Sequence, residues 1–312
     1  MKYLFSILLF FSSTTVFTQI TYQTVFVDYD SAWQYKNLKI IPIRPKSNPG
    51  GFMPMLIDNP DIISLSQAIN QGLATISERG SASTENVHWL RINNKSDKSI
   101  FINSGEMIGG GRQDRMIMKD TILVPTKGDQ YVQVMCVEEG RWADKEKKFT
   151  YDNFANSRLR KVLDVGKNQV LIWNEIENQL QSGDIKDNTM AYLSRNSDKK
   201  IIEMNDDYFR FFKQKFKNSD STIIGFVCVS GNKIIGSDIF ANRSLFYSQL
   251  EPLLRGYIDE AIFFPGKGSP DNDKVKDYMD KILTDERSQQ EFVNKNGKIF
   301  RQNGKVIHIT TF

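Results

Sequence analysis

Residues 101–142, FINSGEMIGGGRQDRMIMKDTILVPTKGDQYVQVMCVEEGRW, constrain the chain most. Gly105, Gly109, Gly110 and Gly111, with Arg112, Gln113 and Arg115, stand between runs of alternating apolar residues. Alternation places successive side chains on opposite faces of a strand. Clustered glycines permit the tight turns and close backbone approaches that other residues resist. The stretch therefore reads as a shaped polar loop mounted on a sheet. It closes on Glu138-Glu139-Gly140-Arg141-Trp142.

The rest of the first half is also β-like. Leu38–Pro45 reads as a strand, and VHWLRINNKSDKSIFIN as two strands about a polar turn. A second hairpin is expected where ILVP and QYVQVMCV flank Thr126-Lys127-Gly128-Asp129. The latter strand is apolar on both faces, which suits a central position. One helix is expected to interrupt the strands, because Ile62, Leu65, Ile69, Leu73 and Ile76 recur at helical spacing. Residues 143–165 are charged and weakly patterned, as in an exposed linker or surface excursion.

Beyond them the rhythm turns helical. Ile172, Ile176 and Leu180 mark one helix, and Tyr208, Phe212 and Phe216 mark a second, whose apolar face suits the core better than a membrane surface. A hairpin turns at Gly231-Asn232, and a last one at Asn303-Gly304. Between them a long helix follows Asn242, a residue suited to capping it, and Pro252 is expected to kink or split that helix. A further helix is expected from about Lys274 to Leu283. Strands first and helices later imply an α+β fold, with a strand-rich half (22–142), the excursion (143–165) and a helix-rich half (166–312) in one domain.

Residues 1–18 have the layout of a secretory signal peptide: Lys2, an apolar run over 4–11, then small residues. The expectation is cleavage before Gln19 and export to the periplasm or the exterior, with no stable membrane insertion afterwards. Cys136 and Cys228 each lie in an apolar strand. Export permits a disulfide between them, while burial as free thiols suits their surroundings. The net charge of +4 is spread along the chain, so no nucleic-acid partner is expected. Oligomeric state is not legible.

Consecutive backbone N–H groups with arginine forks suit phosphate or carboxylate. Gly109, Gly110, Gly111, Arg112, Gln113 and Arg115 are accordingly candidates for an anionic small molecule. The alternative is a glycine-rich β-turn with its arginines in solvent. Neither a P-loop nor a dinucleotide fingerprint fits, since MIMKDTILVP follows as a strand. Glu106 and Glu138 are candidates for an acid–base pair, against the plainer reading of a Glu138–Arg141 ion pair. Trp142 reads as a stacking platform or a core aromatic, and Asp238 as a turn residue or a ligand contact. His88 and His308 show no metal-ligand spacing, and Ser104 lacks a nucleophile elbow, so neither a metal nor another cofactor is expected.

GEMIGGGRQDR, then CVEEGRW, then VCVSGNKIIGSDIF before a Leu-rich helix, resembles the ARG-and-rhodanese-phosphatase-superfamily-associated protein domain over about residues 25–265. The resemblance implies an α+β domain associated with ADP-ribose and NAD-linked pathways, with no mechanism attached. It places Glu106, Gly110, Gln113, Arg115, Glu138, Gly140, Arg141, Trp142, Asp238 and Phe240 in the recurring motifs. Three readings stand: a binding module for an anionic, ADP-ribose-like molecule; a hydrolase using the carboxylate pair; an envelope interaction protein without a small-molecule site.

Overall fold

A computed structural model describes residues 19–47, 61–80, 87–125, 128–141 and 148–312. The signal-peptide expectation therefore lies outside the described residues, as does Trp142. The fold is α+β.

Its first half is a sandwich of two sheets. The larger runs β12 (Thr150–Phe154), β8 (Glu106–Gly109), β9 (Arg115–Ile117), β11 (Gly128–Cys136), β6 (Trp89–Asn94), β5 (Ala74–Glu78). The smaller runs β10 (Thr121–Leu123), β7 (Ser99–Ile102), β4 (Ile62–Ser64). Ile92, Ile108, Ile117, Val132 and Val134 from the first meet Ile100, Ile102 and Leu123 from the second. The opposite face of the larger sheet carries Met107, Met116 and Met135, adjacent in register on three strands. Leu159 of α2 (Ser157–Lys161), Leu163 of a π-helical turn (Val162–Gly166), and Ile172 and Ile176 of α3 (Gln169–Ser182) cover them.

The rest of the fold has three layers and joins residues 25–45, expected with the strand-rich half, to residues 199–312. The sheet order is β1 (Val25–Val27), β3 (Leu38–Pro45), β13 (Gly225–Ser230), β14 (Lys233–Phe240), β16 (Lys305–Thr311), β15 (Gly297–Gln302), with β2 (Trp33–Tyr35) on β3. Leu38, Ile40, Phe226 and Cys228 pack under α4 (Lys199–Asn218) and α5 (Arg243–Phe263). Ile41, Ile43, Val227 and Val229 pack on α6 (Asn272–Leu283) and α7 (Glu286–Asn296). A strand covered on both faces has no polar side to alternate with, and all six residues of β13 are buried.

The periodic helices form as expected, with Tyr208, Phe212 and Phe216 on the buried face of α4. Both later hairpins form as well. Gly231 has φ +55°, and Asn303 and Gly304 have φ +51° and +77°. Asn242 caps α5 by accepting from the Leu245 N–H at 2.9 Å.

Five expectations are corrected. The helix expected over residues 62–76 shrinks to α1 (Leu65–Asn70) between β4 and β5, because Ser64 and Gln67 form a capping box and Gly72, at φ +71°, ends the segment. ILVP and QYVQVMCV do not pair with each other. β10 pairs with β7, while β11, buried over its C-terminal half, takes β6 and β9 as its two neighbours. β6 and β7 likewise enter different sheets and face each other across the sandwich core. The charged stretch read as an excursion carries β12, α2 and the π-helical turn from Thr150 onward, with Arg160 and Asp164 buried. Pro252 does not split α5, which runs through it. The cysteines, by contrast, follow the free-thiol reading: Cys136 and Cys228 are free, buried and in different sheets.

Candidate functional site

The glycine loop and the CVEEGR segment do converge. Arg141 donates from Nε to Glu138 Oε1 at 2.7 Å, and its other nitrogens reach the Gly111 carbonyl at 2.6 Å and Asp114 Oδ1 at 3.1 Å. The Gly110 N–H donates to Asp114 Oδ1 at 2.8 Å, and Gln113 Nε2 to the Glu138 carbonyl at 2.7 Å. The Arg112 N–H donates to Glu78. Arg115 is fully buried, bonded to the Gln113 carbonyl at 2.6 Å and 3.7 Å from Glu78. The loop's carbonyls and carboxylates take up Arg141 and the Gly110 N–H, while Arg115 Nε and Nη2 make no hydrogen bond; the plainer Glu138–Arg141 ion pair is present. Gly110 has φ +115°, and a Cβ there would lie 2.4 Å from the Lys148 carbonyl oxygen. Its role is to let residues 148–149 cross the loop; a Cβ at Gly109 would come no closer than 3.3 Å, to a Leu193 methyl.

Glu106 and Glu138 sit in separate networks. Glu106 is fully buried, accepting from the Asn103 N–H at 2.9 Å and the Tyr151 hydroxyl at 3.1 Å. Burial pushes its carboxyl up to about 8, against the two hydrogen bonds that favour the charge.

Asp238 is not a turn residue: it lies inside β14 and is fully buried. It accepts from both terminal nitrogens of Arg160 (3.0 and 2.8 Å), from Tyr257 (2.6 Å) and from His308 Nε2 (2.8 Å). His308 Nδ1 meets Asp120 at 2.9 Å, while the Phe240 ring stacks on the imidazole at 4.3 Å. Lys298 donates to Asp120 and Ser104, and Ser104 donates to Asp164 at 2.9 Å. Despite burial, Arg160 and His308 hold the Asp238 carboxyl far below the usual range, and Lys298 and His308 do the same for Asp120. The two aspartates outweigh desolvation to raise the His308 imidazole. Three cations and three acids thus clamp α2 and the sandwich to the second sheet. Asp120, Arg160, Asp164 and Lys298 are not among the sequence candidates, and His308 is set aside for want of metal-ligand spacing. The one local signal was a histidine on the β16 alternation; its partners lie 188 and 70 residues away.

The open concavity lies beside this framework, along β12. The register of β12 against β8 shifts between Tyr151 and Phe154, and Asp152 and Asn153 occupy that irregularity. On one side is a slot of about 260 Å³ with Met107, Phe154, Leu193, Ile201 and Ile202 as apolar walls and Tyr192 and Asp259 at its polar end. On the other is a shelf of about 550 Å³, lined by Gln67, Asn70, Tyr151, Tyr247, Ser248 and Glu251. Asp152, Asn153 and Arg255 line both. Arg255 packs 4.0 Å from the centre of the Phe209 ring and donates to Asn205 at 2.8 Å and Asp206 at 3.0 Å. Asp259 pairs with Arg195 at 2.8 Å, and Glu251 with Lys213 at 2.6 Å. Burial raises the Asp259 carboxyl, with Arg195 opposing. Pro252 has no N–H for the Ser248 carbonyl, and both residues line the shelf.

None of the glycine-loop candidates from Gly109 to Arg115 lines either cavity, nor do Glu106, Glu138, Arg141 or Asp238. The loop's connection is structural: Glu106 and Met107 lie on β8, the strand paired with β12 in the same sheet.

The model of the ARG and Rhodanese-Phosphatase-superfamily-associated Protein domain matches residues 26–312. The chain belongs to this family. The match takes in the sandwich, the clamp and β16, so the family's unit includes His308. No curated protein and no solved structure matches the chain.

Proposed function

We propose that this family member is a binding module for a small molecule with a planar apolar part and a hydroxylated, anionic part, of the kind a nucleotide sugar such as ADP-ribose presents. The observation that carries the reading is the bipartite cleft, an apolar slot and a polar shelf sharing Asp152, Asn153 and Arg255. A ring fits against Leu193, Ile201 and Ile202, sugar hydroxyls against the amides and hydroxyls of the shelf. Arg255 at the junction, with Nη1 held by Asn205 and Asp206, keeps Nε and Nη2 for phosphate. Glu251 and Asp259 already have cationic partners, which lowers their repulsion of an anion. The glycine loop and Arg141 serve as the brace that fixes β8 and β12. A binding reading is favoured over a carboxylate-pair hydrolase because Glu106 and Glu138 bond to different partners.

Isothermal titration calorimetry with ADP-ribose, adenosine and inorganic phosphate tests it. The expected order is ADP-ribose tightest and phosphate weakest. Arg255→Ala should weaken ADP-ribose by a factor of about 10 or more, the worth of a charge-assisted hydrogen bond, and spare adenosine. Ile202→Glu, at a position 44% exposed and so tolerant of change, should weaken both. No heat with any of the three, or binding indifferent to both substitutions, defeats the proposal. Export belongs to it as well: the mature chain recovered outside the cytoplasm should begin at Gln19, and an intact Met1 there would contradict it.

A further inference from the structure

Tyr151 on β12 sits opposite Ile108 and reaches Glu106 diagonally across to β8, and only Tyr151 of the two lines the shelf. We infer that this pair is a proton switch of the shelf, in which the proton on Glu106 decides whether the Tyr151 hydroxyl meets a bound molecule as a donor or as an acceptor. The inference rests on the proposed reading of the cleft.

The geometry is specific. Glu106 Oε2 is taken by the Asn103 N–H at 2.9 Å, leaving Oε1 facing the Tyr151 oxygen at 3.1 Å. One hydrogen occupies the line between those two oxygens. With Glu106 ionised, the hydrogen is the phenol's own, and Tyr151 has only lone pairs left for the shelf. With Glu106 protonated, the carboxylic O–H supplies it, and the phenol hydrogen is released to turn outward. No bond to carbon changes; a single proton enters or leaves.

The surroundings permit both states near neutral pH. Glu106 is wholly buried, and among the described residues no cation lies within ion-pairing distance of it. Asp120 opposes its ionisation and Lys298 favours it, both from the clamp. Burial sets its carboxyl at about 8. Tyr151 itself stays protonated, since burial, Glu106 and Asp152 all hold its phenol well above the usual range.

Two near-isosteric variants isolate the switch. In Glu106→Gln the amide carbonyl accepts from Asn103 and the NH₂ donates to Tyr151, so the protonated arrangement is locked. Tyr151→Phe removes the reporter. The ligand-free measurement is a pH titration of the Tyr151 ¹³Cζ resonance, assigned by its loss in Tyr151→Phe. Wild type should show an inflection near pH 8 that Glu106→Gln abolishes. The ligand arm uses adenosine, whose ribose oxygens accept hydrogen bonds. Its affinity should fall by between about twofold and tenfold as pH rises through that range, one hydrogen bond's worth, and stay flat in Glu106→Gln. A ¹³Cζ shift that does not move in wild type, or that still moves in Glu106→Gln, overturns the switch; should that variant not fold, the wild-type titration decides alone. Absence of adenosine binding at every pH would count against the proposed function and leave the resonance to decide the switch.

Discussion

Replacing Asp238 by Asn should destabilise the domain by about 3–5 kcal/mol, the cost of removing one partner from a buried ion pair. The side chain keeps its shape, so packing is preserved and the charge is the variable. Asn has one acceptor oxygen where Asp238 now serves Arg160 twice, His308 and Tyr257. Its amide would also point donors at donors. Arg160 is 1% exposed and His308 0%, so water cannot replace the lost carboxylate at either. With roughly 2–4 °C lost per kcal/mol in a chain of this size, melting should fall by about 6–20 °C. Urea unfolding followed by circular dichroism at neutral pH gives the free energy. The double substitution Arg160→Met/Asp238→Leu should recover only part of the loss, because it removes the unpaired guanidinium but leaves His308 Nε2 and the Tyr257 hydroxyl without Asp238. A loss below about 1 kcal/mol in Asp238→Asn would refute the reasoning, since it would mean the clamp carries no net interaction. The sign of the pH dependence is fixed too. Asp238 is depressed in the folded state, so its contribution is present above the ordinary carboxylate range and disappears as pH falls towards its folded value. His308 is raised, so its contribution is complete below about 6.5 and is lost as pH climbs past its folded value.

Glu106→Gln should stabilise the fold relative to wild type at pH above 8 and be nearly neutral below 4.5, because between those limits the unfolded wild type gives up a proton that the folded state keeps; matched urea titrations at the two pH values check it. Gly110→Ala should cost more than about 2 kcal/mol, from strain at φ +115° and collision with the Lys148 carbonyl, and a melting point unchanged by that substitution would contradict the bracing role given to the loop. Phe226→Ala, which empties a fully buried site between the second sheet and α5, should cost about 3–5 kcal/mol by urea unfolding.

Much of the fold could be read from periodicity. α4 announces itself through Tyr208, Phe212 and Phe216, and the Asn303-Gly304 turn through residues that accept positive φ. These signals are local, and the elements they mark are local. Strand partnership is not: β10 and β11 look like one hairpin because residues 121–136 are contiguous, yet each is recruited by a different sheet. The family motifs marked Glu106 and Asp238, and both occupy buried polar centres, one beneath the cleft and one in the clamp. The residues completing those centres were hidden by their charge. Arg160 and Asp164 stand in a stretch rich in Lys, Arg and Asp, where composition suggests a solvated face. Only the three-dimensional arrival of Asp238, Lys298 and Ser104 makes their burial tolerable. The cleft was equally illegible, because its walls come from β8, β12, α4 and α5, and the register shift that exposes Asp152 and Asn153 leaves no composition mark.

The central claim is that ligand enters between β12, α4 and α5 rather than at the glycine loop. A crystal structure of the chain soaked with ADP-ribose tests it most directly. The account predicts a ring against Ile201 and Ile202, with phosphate on Arg255. Density seated on Gly110 to Arg115 and Arg141, with the slot and shelf empty, would contradict it.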